Sequence, residues 1–299
     1  MLRFSLPIRH LPACLFAAIL AHGMDLRGAA ESDSSASAEI DQAWEEGATF
    51  RFNEANMRFS KLAGKPGVNE RERLLGEAIT LLNRQPRTRS NIADAQTILE
   101  RLVRENGTDA AAVFAQYFIG RIEQSYLDPP NYEAARRTYR DLLARFPGDV
   151  MAEHAASHLV LLDLYGTISK EERLKRLTDL ETLGTGLTTS QGKREFHINL
   201  GQACLDLGIS DEKALEHFLL ADKEGITRWQ TEMTVWAIIA ELARTERKRD
   251  VAIEYYKKII AKYPSNVRTF TMKKRLESLT GVAVHGSPVP ADPTAASGI

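Results

Sequence analysis

From Asp41 to Thr280 the apolar residues recur at three- and four-residue spacing with polar residues between them, and no stretch holds a period-two alternation. That pattern predicts amphipathic helices and no strands. One predicted helix reads YEAARRTYRDLLARFP, Tyr132 to Pro147, and another DVAIEYYKKIIAKYP, Asp250 to Pro264. Aligning Ala135 with Ala252 matches Tyr139 with Tyr256, Leu142 with Ile259 and Pro147 with Pro264, at offsets of +4, +7 and +12 in both. EKALEHFLLADKEGI repeats the pattern with Ala214, Phe218 and Ala221, and IADAQTILERLVRENG with Ala95, Leu99 and Leu102. A weaker copy begins near Leu174, so the anchors stand at 95, 135, 174, 214 and 252, a period of 38 to 40 residues.

Alanine followed by apolar residues at +4 and +7 makes one narrow helix face. The small residue admits a neighbouring helix, the large ones fill the space beyond it, and the proline stops the helix. One such unit cannot bury its face alone, so the units must stack. Each has a leading helix upstream: YFIGRI with Ile119-Gly120, HINLGQACL with Leu200-Gly201, and VWAIIAELA with Trp236 and Ala240. Trp44 to Gly64 and Asn69 to Gln85 also read as helical, and Thr269 to Gly281 reads as a terminal capping helix ending on glycine.

These paired helices resemble the tetratricopeptide-repeat family. The unit from Thr234 carries the resemblance best, with Trp236 at motif position 4, Ile239 and Ala240 at 7 and 8, Ala252 at 20, Tyr256 at 24, Ile259 at 27 and Pro264 at 32. The period exceeds the family's usual length of about 34 residues, and Ile259 and Leu142 replace a small residue. The resemblance implies an all-α fold, an alpha-alpha superhelix in which antiparallel helix pairs form a solenoid. Within the family, LLARFP and IIAKYP are similar to repeats of bacterial envelope proteins of the BamD and CpoB types.

The ends read differently. MLRFSLPIRH carries Arg3 and Arg9, and an apolar run from Leu11 to Ala21 follows. A charged start before a short apolar run is the layout of a secretory signal peptide, expected over residues 1–30. Ala21-His22-Gly23 and Gly28-Ala29-Ala30 both offer small residues at a cleavage site. The run is too short to span a bilayer, which needs about 20 apolar residues. Glu31 to Glu39 is small and polar and reads as a flexible linker over residues 31–40, before a repeat domain over 41–280. Residues 281–299, rich in Pro, Gly, Ala and Ser, read as a disordered tail.

Composition narrows the function. The 299 residues are 43% hydrophobic and 26% charged, an ordinary globular balance. Net charge is −1, and −3 once residues 1–30 are removed with Arg3, Arg9, Arg27 and Asp25. Nucleic acid is not an expected partner. Cys14 falls in the signal segment, and Cys204 reads as a small buried apolar residue. Phosphate-loop, dinucleotide, zincin and paired-cysteine motifs are missing from the sequence, so no cofactor or metal is expected. His154 and His158 share a helix face, but the sequence offers no third ligand and they read as packing residues.

The resemblance implies instead that the leading helices line a concave groove that takes a protein or peptide partner. Motif positions 2, 5, 9 and 12 carry over to Phe114, Tyr117, Arg121 and Gln124. In the next two units they fall on Glu195, Ile198, Gln202 and Leu205, and on Thr234, Ala237, Glu241 and Arg244. The expected function is therefore an exported, non-enzymatic scaffold, periplasmic or secreted and associated with the outer membrane, in assembly or organisation of the cell envelope. A helical accessory domain of an enzyme, or an enzyme with a site not visible in the sequence, is the alternative.

Overall fold

The computed structural model describes residues 34–166 and 169–282. The expected signal peptide with its cleavage sites and Cys14, and the tail from residue 283 on, lie outside the described residues. Thirteen α-helices and no strand are present among the described residues: α1 (Ser34–Ala48), α2 (Phe52–Lys61), α3 (Glu70–Asn83), α4 (Arg89–Glu105), α5 (Ala110–Ser125), α6 (Tyr132–Arg145), α7 (Val150–Leu164), α8 (Lys170–Thr185), α9 (Ser190–Asp206), α10 (Asp211–Lys223), α11 (Trp229–Thr245), α12 (Arg249–Lys262) and α13 (Val267–Thr280). No helix among them is long and apolar enough to cross a membrane.

Local chemistry sets the boundaries. Asn69, Thr88, Asp109, Asn131, Asp149, Ser169, Ser210 and Asn266 each precede a helix and accept hydrogen bonds from its first backbone N–H groups. Each satisfies donors that the helix cannot pair internally. At the other end, α13 stops on Gly281, whose φ of 71° is left-handed and costs glycine nothing.

The helices come in consecutive pairs, odd-numbered leading and even-numbered trailing. The chain divides into two compact units, one ending at Phe196 and one starting at His197, with the division inside α9. In the first unit each leading helix packs against its own trailing helix, against the trailing helix before it, and against the next leading helix from α1 through α7. That position explains why α7 is buried almost all round while α6 buries only Ala134, Ala135, Tyr139 and Leu142. In the second unit α11 packs between α10 and α12, and α13 covers α12.

The repeat anchors do what their spacing implies. Ala95, Ala135, Ala214 and Ala252 are all fully buried, with Leu99, Tyr139, Phe218 and Tyr256 beside them. Small residues on the leading helices meet large ones on the trailing helices: a Cβ on Gly120 would strike Tyr139, and one on Gly201 would press on Phe218.

Trp44 to Gly64, read as helical, is helical in two pieces that turn at Phe50, whose φ is 63°. Two expectations are corrected. The stretch read as a linker over residues 31–40 is helical from Ser34, because Ala36 and Ile40 supply an apolar stripe that is buried. In the weak repeat, Leu174 is exposed and the buried face of α8 is Leu177, Leu180 and Gly184, three residues later than the spacing placed it. There the contact is inverted, since glycine sits on the trailing helix and meets Phe196 of α9.

Candidate functional site

Of the residues expected to line a groove, four are interior. Phe114 is 3% exposed, Tyr117 and Ala237 not at all, and Gln202 5%. The expectation that Phe114, Tyr117, Gln202 and Ala237 line a groove open to a partner is thereby corrected. α5 is enclosed by α3, α4, α6 and α7, so its second and fifth motif positions meet neighbouring helices instead of solvent. Arg121, Gln124, Glu195, Ile198, Leu205, Thr234 and Glu241 are partly exposed, and Arg244 is exposed.

In the first unit Tyr117, Arg121, Tyr139 and His158 form one cluster from α5, α6 and α7. The Tyr117 hydroxyl lies 2.9 Å from His158 Nε2, and an Arg121 terminal nitrogen 3.4 Å from the same atom. A guanidinium only donates, so Nε2 accepts and the neutral ring carries its proton on Nδ1. That Nδ1 is buried without a partner. The ring stacks on Tyr139 at 5.2 Å between centroids, and the Tyr139 hydroxyl donates to Gln124 Oε1 at 2.9 Å. Burial, then the nearby Arg121 and His154, push His158 well below the usual histidine range. Burial likewise raises both tyrosines. The cluster is a neutral, hydrogen-bonded seam with one permanent positive charge at its edge.

A second cluster continues along α7 to the start of α9. His154 Nδ1 lies 2.6 Å from Glu195 Oε2, and Gln191 Nε2 lies 3.2 Å from His154 Nε2. Beside His154, Glu153 accepts from the backbone N–H of Thr188 at 2.6 Å and of Thr189 at 2.9 Å, and from both threonine hydroxyls. Gly192 leaves room for it, since a Cβ there would collide with the Glu153 carboxylate. Burial works to raise the Glu153 carboxyl, yet the bonds from Thr189 and Thr188 outweigh it and hold the group below its ordinary range. The i, i+4 histidine pair was visible in the sequence. Its partners Tyr117 and Glu195 were not, because they arrive from other helices. Among the described residues no three His, Cys, Asp or Glu side chains converge as a metal site.

In the second unit the carboxylates of Glu241 and Asp222 are engaged internally. Glu241 accepts from the Tyr256 hydroxyl at 2.7 Å and from Arg244 at 3.2 Å, and pairs with Arg275 of the capping helix. Asp222 accepts from Trp236 Nε1 at 2.5 Å and from the Tyr255 hydroxyl at 2.7 Å. Thr234 donates to the Gln230 carbonyl within its own helix. Motif position 9 therefore holds a neutralised carboxylate, Glu241, in this unit and a guanidinium, Arg121, in the first.

Residues 238–266 match the tetratricopeptide-repeat family. They cover the end of α11, all of α12 and the Pro264 turn. No curated protein matches the chain. Among solved structures, the chain is similar to a thermophilic TPR protein of Thermus thermophilus, with 18% identity and a TM-score of 0.40, over 71% of this chain and all of that one. It is also similar to the APC/C hetero-tetramer Cut9-Hcn1, with 14% identity and a TM-score of 0.44, over 88% of this chain and 46% of the other. The family match and the succession of helix pairs support a tetratricopeptide-repeat protein.

Proposed function

We propose that this chain is an exported scaffold that binds a segment of another protein on its leading helices, without turnover, in the assembly or organisation of a bacterial cell envelope. The single observation that carries the binding reading is the side-by-side contact of the leading helices α3, α5 and α7 in the first unit. Side chains from successive repeats thereby share one layer, the arrangement that lets a repeat array grip an extended segment. Export rests on Arg3 and Arg9 ahead of the apolar run Leu11 to Ala21. The envelope role rests on the resemblance of LLARFP and IIAKYP to BamD-type and CpoB-type repeats.

The test is photo-crosslinking in the native host. A benzophenone amino acid at Gln124, on the leading layer, should give a defined protein adduct. The same residue at Arg137, exposed on trailing helix α6, should not. Adducts from Arg137 alone would remove the reading. Mass spectrometry of the purified native chain should find an amino terminus just after residue 23 or 30. An intact Met1 would remove the export part.

A further inference from the structure

We propose that an acidic segment of a partner protein docks on Arg84, Arg87 and Arg121 of the first unit. The proposal rests on the reading of the leading layer as a binding surface and names the chemistry of what it binds.

The observation behind it is a contrast among the unit's arginines. Arg58 closes on Glu46, Arg71 on Asp109, Arg73 on Glu70 and Glu77, and Arg136 on Asp163. Arg84, Arg87 and Arg121 have no carboxylate within salt-bridge distance among the described residues; exposed arginines such as Arg51, Arg89 and Arg137 share that, but Arg84 and Arg121 differ from them in having a buried nitrogen without a partner. Arg121 Nε is buried with no partner, one of its terminal nitrogens meets the neutral ring of His158, and Tyr117, Tyr139 and Tyr126 are its electrostatic neighbours. Arg84 Nε is also buried and unpartnered, and its other end reaches only the Asn56 amide oxygen, at 3.2 Å. A guanidinium does not lose its proton, so withdrawing it from water with no counter-charge costs stability.

The three belong to one region. Arg84 ends α3, Arg87 lies in the turn that follows, and Arg121 lies on α5, which packs against α3. Tyr126 joins them. The Arg87 Cζ stands 4.8 Å over its ring, and the same tyrosine is an electrostatic neighbour of Arg121. Three like charges without an internal anion attract carboxylates, and the planar fork of arginine takes a carboxylate through two parallel hydrogen bonds. A run of Asp or Glu would satisfy them together. In the second unit the residue at the motif position of Arg121 is Glu241, which already pairs with Arg244.

The experiment uses the full mature chain with fluorescein-labelled hexaglutamate, hexaglutamine and inorganic phosphate as probes. Hexaglutamate should bind, weaken with added salt, and weaken at least about tenfold in Arg87→Met and in Arg121→Met. Arg247→Met, an exposed change in the second unit, should leave binding unchanged. Arg87 is exposed, so its variant keeps the test valid if Arg121→Met fails to fold. The proposal is overturned if hexaglutamate binds no tighter than hexaglutamine, or if the Arg87→Met chain loses nothing. It is also overturned if phosphate at equal concentration displaces hexaglutamate, which would make this a phosphate site. Crosslinking from Gln124 that survives Arg87→Met would sink the acidic segment and keep the scaffold. Hexaglutamate binding without any crosslink would do the reverse.

Discussion

A β-carbon placed on Gly120 of α5 would stand 2.5 Å from Cε1 of Tyr139 on α6. The ring cannot swing away, because it is fully buried, stacked on His158 and bonded through its hydroxyl to Gln124. Alanine is a better helix former than glycine by about 1 kcal/mol, but overpacking a closed core costs about 1–3 kcal/mol. Gly120→Ala should therefore lose stability in a urea titration. A gain would mean that the two helices are further apart than described.

The four hydrogen bonds on Glu153 predict an acid-labile fold. Its folded-state carboxyl sits below the ordinary value of 4.5, so its contribution is present above that pH and is lost as pH falls through the lowered value. Glu153→Gln keeps the shape but loses the charge, and should cost about 1–3 kcal/mol at neutral pH. Urea midpoints followed down the acid limb should converge for the two proteins. Parallel curves would show that Glu153 contributes nothing there.

His158 predicts a second slope at higher pH. Its folded value is far below the ordinary 6.5, so the unfolded chain takes up a proton first. Stability is full above 6.5 and declines as pH falls toward the depressed folded value, by up to about 1.4 kcal/mol per pH unit. His158→Gln retains hydrogen bonding toward Tyr117 and removes the titration. The difference between wild type and variant, measured across that window, isolates this ring from the neighbouring His154–Glu195 pair. A flat difference would show that His158 is solvated.

Ala252→Leu should overpack α11 against α12 and cost about 1–3 kcal/mol, because Ala252 is fully buried. Ala261→Leu, on the exposed side of the same helix, should change the melting temperature little. Equal effects would show that the register of this repeat is wrong.

Much of this architecture could be read along the chain. Ala95, Ala135, Ala214 and Ala252 announced themselves because alanine and an aromatic or leucine four residues on are a local signal, confined to one helix face. Leu174 misled because lysines, arginines and glutamates surround it in α8 and the spacing alone had to choose among several leucines. The candidate site was less legible. Arg121 and Glu241 occupy one motif position, yet whether each is neutralised depends on partners from other helices, which Glu241 finds in Arg275 and Arg121 does not find in any carboxylate among the described residues. Tyr117 reads as a groove residue from its motif position, whereas the helices that enclose it, and His158 that meets its hydroxyl, come from elsewhere in the chain.

The Glu153 carboxylate also bears on how this chain can change over evolutionary time. By holding Thr188 and Thr189 it ties the start of α9 directly to α7, across the whole of α8. The alignment of α7 with the start of α9 is thus not left to the helix between them, which buries only Leu177, Leu180 and Gly184. A segment bypassed in this way is free to accumulate substitutions, and α8 is where the repeat signature has worn thinnest.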